Sequence, residues 1–235
     1  MRRVIILFVF LFFSLSHSRA QVLTSVKKIA PGQLPKTVKF KGKAHEAWKW
    51  KDKLGENILI TSTVKPLMDN KEGEAVSSIE IHAFHFVKKD SVYKLLWRIS
   101  DSESNCPFDL TAEFIKGSTS ISDLDKDGIA ETIVQYKLAC RSDVSPAFMK
   151  LIMHEDTVKY ALRGNMWVRS GEESKFNVKD DNVNLEMWKE YTGTEDDWDK
   201  LFGRYQSEKD FMFAPKEFLI FARQQWLSHV KERFE

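Results

Sequence analysis

Between Asp123 and Glu131 the chain reads Asp123-Leu-Asp125-Lys-Asp127-Gly128-Ile129-Ala-Glu131. Four carboxylates fall in one short stretch, spaced as a loop that wraps a hard cation. Ca²⁺ takes six to eight oxygens at about 2.3–2.6 Å. Asp123, Asp125 and Asp127 stand at positions 1, 3 and 5 of such a loop, and Gly128 permits the sharp turn. The carbonyl of Ile129 supplies position 7 and Glu131 supplies position 9. Without a cation these acids repel one another, so an ion also relieves a local charge problem. An EF-hand is excluded: it needs a bidentate Glu at position 12, where Val134 stands. Mg²⁺, which retains waters and uses few carboxylates, fits less well. The bland alternative is a solvated acidic turn without metal. A catalytic ion would need an open coordination site beside a proton-transfer group, and the sequence displays neither, so the expected role is structural.

The loop must be positioned by the segment into which it leads. Thr132, Val134, Tyr136, Leu138 and Cys140 alternate along one face of a strand. Cys106 and Cys140 are the only two cysteines. In an oxidising compartment they pair and close a loop around the whole acidic motif. Such a closure contributes roughly 3–4 kcal/mol on the chain-entropy account. Two buried thiols are the alternative. With no third Cys and no clustered His, a zinc site is unsupported.

Elsewhere from 37 to 168 the signal is mostly strand. Ile79 to Val87 is apolar on both faces, as in a central strand covered on two sides. Val92 to Ile99 alternates, with Tyr93, Leu95, Trp97 and Ile99 expected on one face. Lys88-Lys89-Asp90-Ser91 reads as the turn between these runs, and Glu155-Asp156 as the turn of a hairpin over Phe148 to Leu162. Residues 21–36 read as a leader arm, because Pro31-Gly32 and Pro35 interrupt regular structure. Val178 to Tyr191 and Glu195 to Tyr205 read as short helices. A last helix starts at Pro215, with Leu219, Ala222, Trp226, Val230 and Phe234 at helical spacing.

The first twenty residues have the form of a signal peptide. Arg2 and Arg3 precede the apolar run Val4 to Phe13, and Ser18-Arg19-Ala20 puts small residues at a cleavage point. An uncleaved anchor is the alternative, although a bilayer span needs about 20 apolar residues. Over the full chain 36 Lys and Arg face 34 Asp and Glu. Removing residues 1–20 takes away three arginines and no acids, which leaves the mature chain close to neutral. That excludes a general nucleic-acid binder, which shows a clustered basic excess. No second apolar run of membrane length occurs, so no transmembrane span is expected after cleavage.

Other chemistry-bearing residues are weaker. His82 and His85 are three apart on a strand and point to opposite faces, so they do not share a metal. His45-Glu46 and His154-Glu155 are adjacent pairs that a strand also turns apart. Ser25-x-x-Lys28 matches a serine-acylase signature without its companion motifs. Trp48 and Trp50 share a strand face; exposed, they would stack on sugar rings, and buried, they are core. Arg141 and Asp143, beside Cys140, would form a polar recognition edge or pair with each other.

The acidic loop resembles the Asp-rich calcium loops that lead into a strand in integrin-type and VCBS-type β repeats. Here it occurs once, whereas those repeats come in tandem. A wider block joins this loop to Cys140-Arg-Ser-Asp-Val-Ser-Pro146, Lys150-Leu-Ile-Met-His154 and Tyr160-Ala-Leu-Arg-Gly164. It resembles a family of small exported bacterial proteins labelled surface polysaccharide biosynthesis protein. The resemblance implies a link to envelope polysaccharide and supplies no catalytic residues.

The expected fold is α+β: one domain over 37–235, with an antiparallel sheet or meander over 37–168 and C-terminal helices over 178–235. A β-sandwich with a helical appendage is the alternative. The expected function is that of an exported, calcium-stabilised, non-enzymatic envelope protein, periplasmic or secreted. It would bind, or help assemble, an envelope glycan or protein. The rival is a glycan-processing enzyme with carboxylates distant in sequence.

Overall fold

The computed structural model describes residues 23–71, 73–168 and 175–232. The expected signal peptide lies outside them. Among the described residues ten strands make two antiparallel sheets. The first contains β1 (Thr24–Ile29), β2 (Lys43–Asp52), β3 (Gly55–Lys71), β4 (Glu74–Lys89) and β5 (Val92–Cys106), in that spatial order. It is the expected meander: from β2 onward each connection is a turn of two residues, too short to do anything but turn back. The β4–β5 turn places Asp90 and Ser91 at φ 49° and 71°, the left-handed pair that a two-residue hairpin requires.

The second sheet runs β10 (Val158–Asn165), β9 (Phe148–Glu155), β8 (Glu131–Arg141) and β6 (Asp109–Phe114), and the short β7 (Ser120–Ser122) also pairs with β8. The sheets pack face to face. Trp50, Leu59, Ile81, Trp97 and Ile99 of the first meet Val134, Tyr136, Leu138 and Ile152 of the second in one core. This two-layer arrangement is nearer the sandwich alternative than a single sheet backed by helices. The disulfide Cys106–Cys140 forms, with Cα atoms 5.5 Å apart, and ties the end of β5 to β8.

The second sheet is covered on its other face as well. Ile133, Met149, Leu151 and Met153 pack there against Phe218, Ala222, Trp226 and Val230. Three of those four lie on the helix α1 (Lys216–His229), and Val230 caps its C-terminus. The buried row is 218, 222, 226 and 230, a pure i, i+4 series. Leu219 is only partly buried beside it.

Three expectations fail, each for a tertiary reason. Residues 178–191 are not helical. Their backbone groups bond elsewhere: Leu185 N donates to Tyr205 O at 2.9 Å and Tyr205 N to Val183 O at 3.1 Å. Glu195–Leu201 is a 3-10 helix rather than a longer α-helix. The arm over 21–36 is not a free leader. Its Thr24–Ile29 part is an edge strand on β2, and Ile29, Leu34, Val38 and Phe40 close over Ile58, Ile60, Phe84 and Phe86 on the outer face of the first sheet.

The Val92–Ile99 face also divides. The register shifts between His85↔Trp97 and Phe86↔Leu95, so Leu96 is an extra residue. Tyr93 therefore joins the outer cluster while Trp97 and Ile99 enter the inter-sheet core.

Candidate metal centre

The acidic loop leaves β7 and leads into β8, with Leu124 packed toward the α1-side core and Ala130 buried in the inter-sheet core. Its backbone is held by its own carboxylates. Leu124 N donates to Glu131 Oε2 at 2.8 Å, Asp127 N to Asp125 Oδ1 at 3.1 Å, and Gly128 N to Asp123 Oδ1 at 3.4 Å. Ile129 N donates to Asp127 Oδ1 at 2.7 Å. Lys126 and Gly128 have φ of 65° and 87°, so the glycine supplies the left-handed turn its position demands.

The carboxylates converge. Ligand atoms of Asp123, Asp125 and Glu131 lie within 4.8 Å of one another, and so do those of Asp125, Asp127 and Glu155. An ion with oxygens at about 2.4 Å places any two of them within about 4.8 Å. Glu131 is fully buried, and its Oε1 has no hydrogen-bond partner. A buried carboxylate oxygen left unpaired is costly unless something positive meets it. Burial, and after it the charges of Asp125 and Glu155, pushes the Glu131 carboxyl up to about 8. Burial and the neighbouring aspartates push Glu155 up to about 7. The cluster can hold a metal ion, and its all-oxygen donor set is that of a hard cation.

Two residues that sequence reasoning missed complete the setting. Glu155 ends β9, directly opposite Glu131 in the β8–β9 register. Asp52, fully buried at the end of β2, accepts four hydrogen bonds. They come from Trp50 Nε1 at 2.9 Å, Leu54 N at 2.8 Å, Asn57 Nδ2 at 2.9 Å and Ala130 N at 3.2 Å. Lys53 N donates to Gly128 O at 2.8 Å. The β2–β3 turn of one sheet thus grips the loop that feeds the other. No local pattern marks Asp52; the only sign of Glu155 is its place at a hairpin turn.

Trp50 is 1% exposed, so it is core and cannot stack on a sugar. Trp48 is half-buried, with Lys28 Nζ 5.8 Å from its ring centre. That lysine is paired with Glu46, which engages the Lys28 of the acylase-like motif. His82 and His85 do face apart: His82 bonds Ser100 and Glu80, and His85 bonds Asn57. His154 stacks on Trp97 at 4.1 Å while Glu155 turns to the acidic cluster. His45 and Glu46 do not face apart. A bulge between Ala44 and Glu46 brings both to one groove of about 470 Å³, shared with Glu113, Phe114 and Lys116. Arg141 and Asp143 do not form a free edge. Arg141 makes a two-pronged bond to buried Glu232 at 2.7 and 3.0 Å, and Asp143 Oδ1 accepts from Ser145 N at 3.0 Å.

Compared with protein-family profiles, with characterised proteins and with solved structures, the chain matches none.

Proposed function

We propose that the chain is an exported, calcium-stabilised, non-enzymatic protein of the bacterial envelope, periplasmic or secreted. In this reading it is linked to surface polysaccharide and acts by binding or assembly. The observation that carries the calcium part is the unpaired oxygen of fully buried Glu131, whose carboxylate converges with those of Asp123 and Asp125 within the span of one ion shell. A crowd of acids this dense favours the larger cation over Mg²⁺, which binds through one or two carboxylates. The Cys106–Cys140 bridge supports an oxidising compartment, since cytosolic thiols stay reduced. Among the described residues no helix is long and apolar enough to cross a membrane. The link to polysaccharide rests on the family resemblance of residues 120–164.

Thermal melts of the purified protein test the metal. Saturating Ca²⁺ at about 100 times its Kd adds about 2.7 kcal/mol, which raises the Tm of a chain this size by roughly 5–10 °C. Asp125→Ala should lower the Tm and abolish the difference between Ca²⁺ and chelator. An identical wild-type melt in both conditions refutes the calcium reading. A glycan array then tests the partner.

A second reading, glycan processing, draws on one observation: Glu46 and Glu113 line the same groove as His45 and Phe114. Paired carboxylates flanking a bond are the apparatus of glycoside hydrolysis. Hydrolysis of an array glycan by wild type, lost in both Glu46→Gln and Glu113→Gln, would establish it over the binding reading.

A further inference from the structure

The acidic cluster is wider than the loop. Glu131 and Glu155 are direct cross-strand partners in the β8–β9 ladder. Like charges directly opposite on neighbouring strands are destabilising. Here the penalty is sharpened, because Oε1 of both residues is buried and has no hydrogen-bond partner. Neither oxygen is turned out to water, where repulsion would be screened. A sheet that places two glutamates side by side with their free oxygens turned inward has left room for positive charge. Asp125 stands in both groups of converging carboxylates, with Glu131 in one and Glu155 in the other. An ion seated on Asp125 and Asp127 is therefore within reach of Glu155.

We infer that Glu155 is a ligand of the ion, donated to the loop from the β9–β10 hairpin. The inference rests on the divalent-cation reading above and extends it. The ion is then held by two segments far apart in sequence that meet only when β9 has zipped onto β8. Affinity becomes a property of the folded sheet and not of the nine-residue loop alone. Loop and hairpin are joined through the metal, much as Asp52 joins the loop to the first sheet through hydrogen bonds.

Calcium titration calorimetry on the full chain tests this with three variants. Glu155→Gln should bind Ca²⁺ at least ten-fold more weakly than wild type, while its melt in chelator is unchanged or higher because a like charge is gone. Glu155→Asp, which keeps the charge but draws the carboxylate back, should also lose affinity with an unaltered chelator melt. Glu74→Gln, exposed on the far hairpin of the first sheet, should bind as wild type does. Wild-type affinity in both Glu155 variants overturns the inference and leaves the calcium site standing. Absence of binding to the wild type overturns the calcium reading itself, and this inference with it.

Discussion

His85 sits on β4 with Trp50 at 4.9 Å and Trp97 at 5.3 Å between ring centres. Asn57 spends its amide nitrogen on Asp52 and Gly55, so its Oδ1 accepts from His85 Nε2 at 2.9 Å. That fixes the neutral tautomer and leaves Nδ1 bare and buried. Burial, and after it the charge of His154, pushes the imidazole down to about 3 from its ordinary 6.5. In the unfolded chain it titrates at the ordinary value. The stability it contributes is therefore complete above that value and is lost as pH falls from 6.5 toward 3. At about pH 4.5 the loss is roughly 2–3 kcal/mol. Denaturant titrations at pH 7 and at that acid pH should show a smaller acid loss in His85→Asn than in wild type; an equal loss would assign the acid sensitivity elsewhere. At this scale, what could be read from sequence was what sits together in sequence. Asp123, Asp125, Asp127 and Glu131 are legible because one turn brings them together. Glu155 and Asp52 are not, because strand register and sheet-to-sheet contact decide their place.

The strands of the two sheets were legible as elements because alternation reports a face directly. The register shift between His85 and Phe86 was not, since one extra residue in β5 leaves the composition of the strand unchanged. It nevertheless sends Tyr93 and Trp97 into different cores. The segment 178–191 misled for the opposite reason: its residues tolerate helix, but Tyr205 offers its backbone better partners. Gly164 in β10 is what lets the Arg204–Tyr205 backbone approach. A Cβ there would lie 2.0 Å from Arg204 O and 2.5 Å from Tyr205 Cα, and Asn165 N and Gln206 N bond across the same contact. Gly164→Ala must push the two backbones apart. A melt in saturating Ca²⁺ should show a loss of about 1–3 kcal/mol, read as several degrees of Tm. A melt equal to wild type would mean the C-terminal segment is not seated there.

For the molecule as a whole, the elements could be read from residue patterns and their stacking could not. The end of the strand-rich part was legible from the change of period near residue 177, although only Lys216–His229 beyond it is α-helix. That the strands divide into two facing layers was not, because Val134 and Ile133 look alike in sequence although one faces the first sheet and the other α1. Cys106–Cys140 is the covalent joint between those layers. Replacing both cysteines by Ala should cost about 3–4 kcal/mol, a Tm drop of roughly 6–15 °C, and dithiothreitol should no longer shift the melt. A drop far below that range would mean that the layers are fixed by packing alone. The margin of the first sheet is also a property of the whole molecule. β2 pairs with β3 no further than Lys43↔Thr63, whereas β3 continues to Lys71. Beyond that point one margin of the long hairpin has no neighbouring strand among the described residues, and Leu67 and Met68 are exposed along it. Lys65 and Pro66 form a bulge in the β3–β4 ladder there, and Pro66 has no N–H to offer an added strand. A stray strand meeting the hairpin there finds a broken template, so edge-to-edge zippering into fibres is checked where this chain is most open to it.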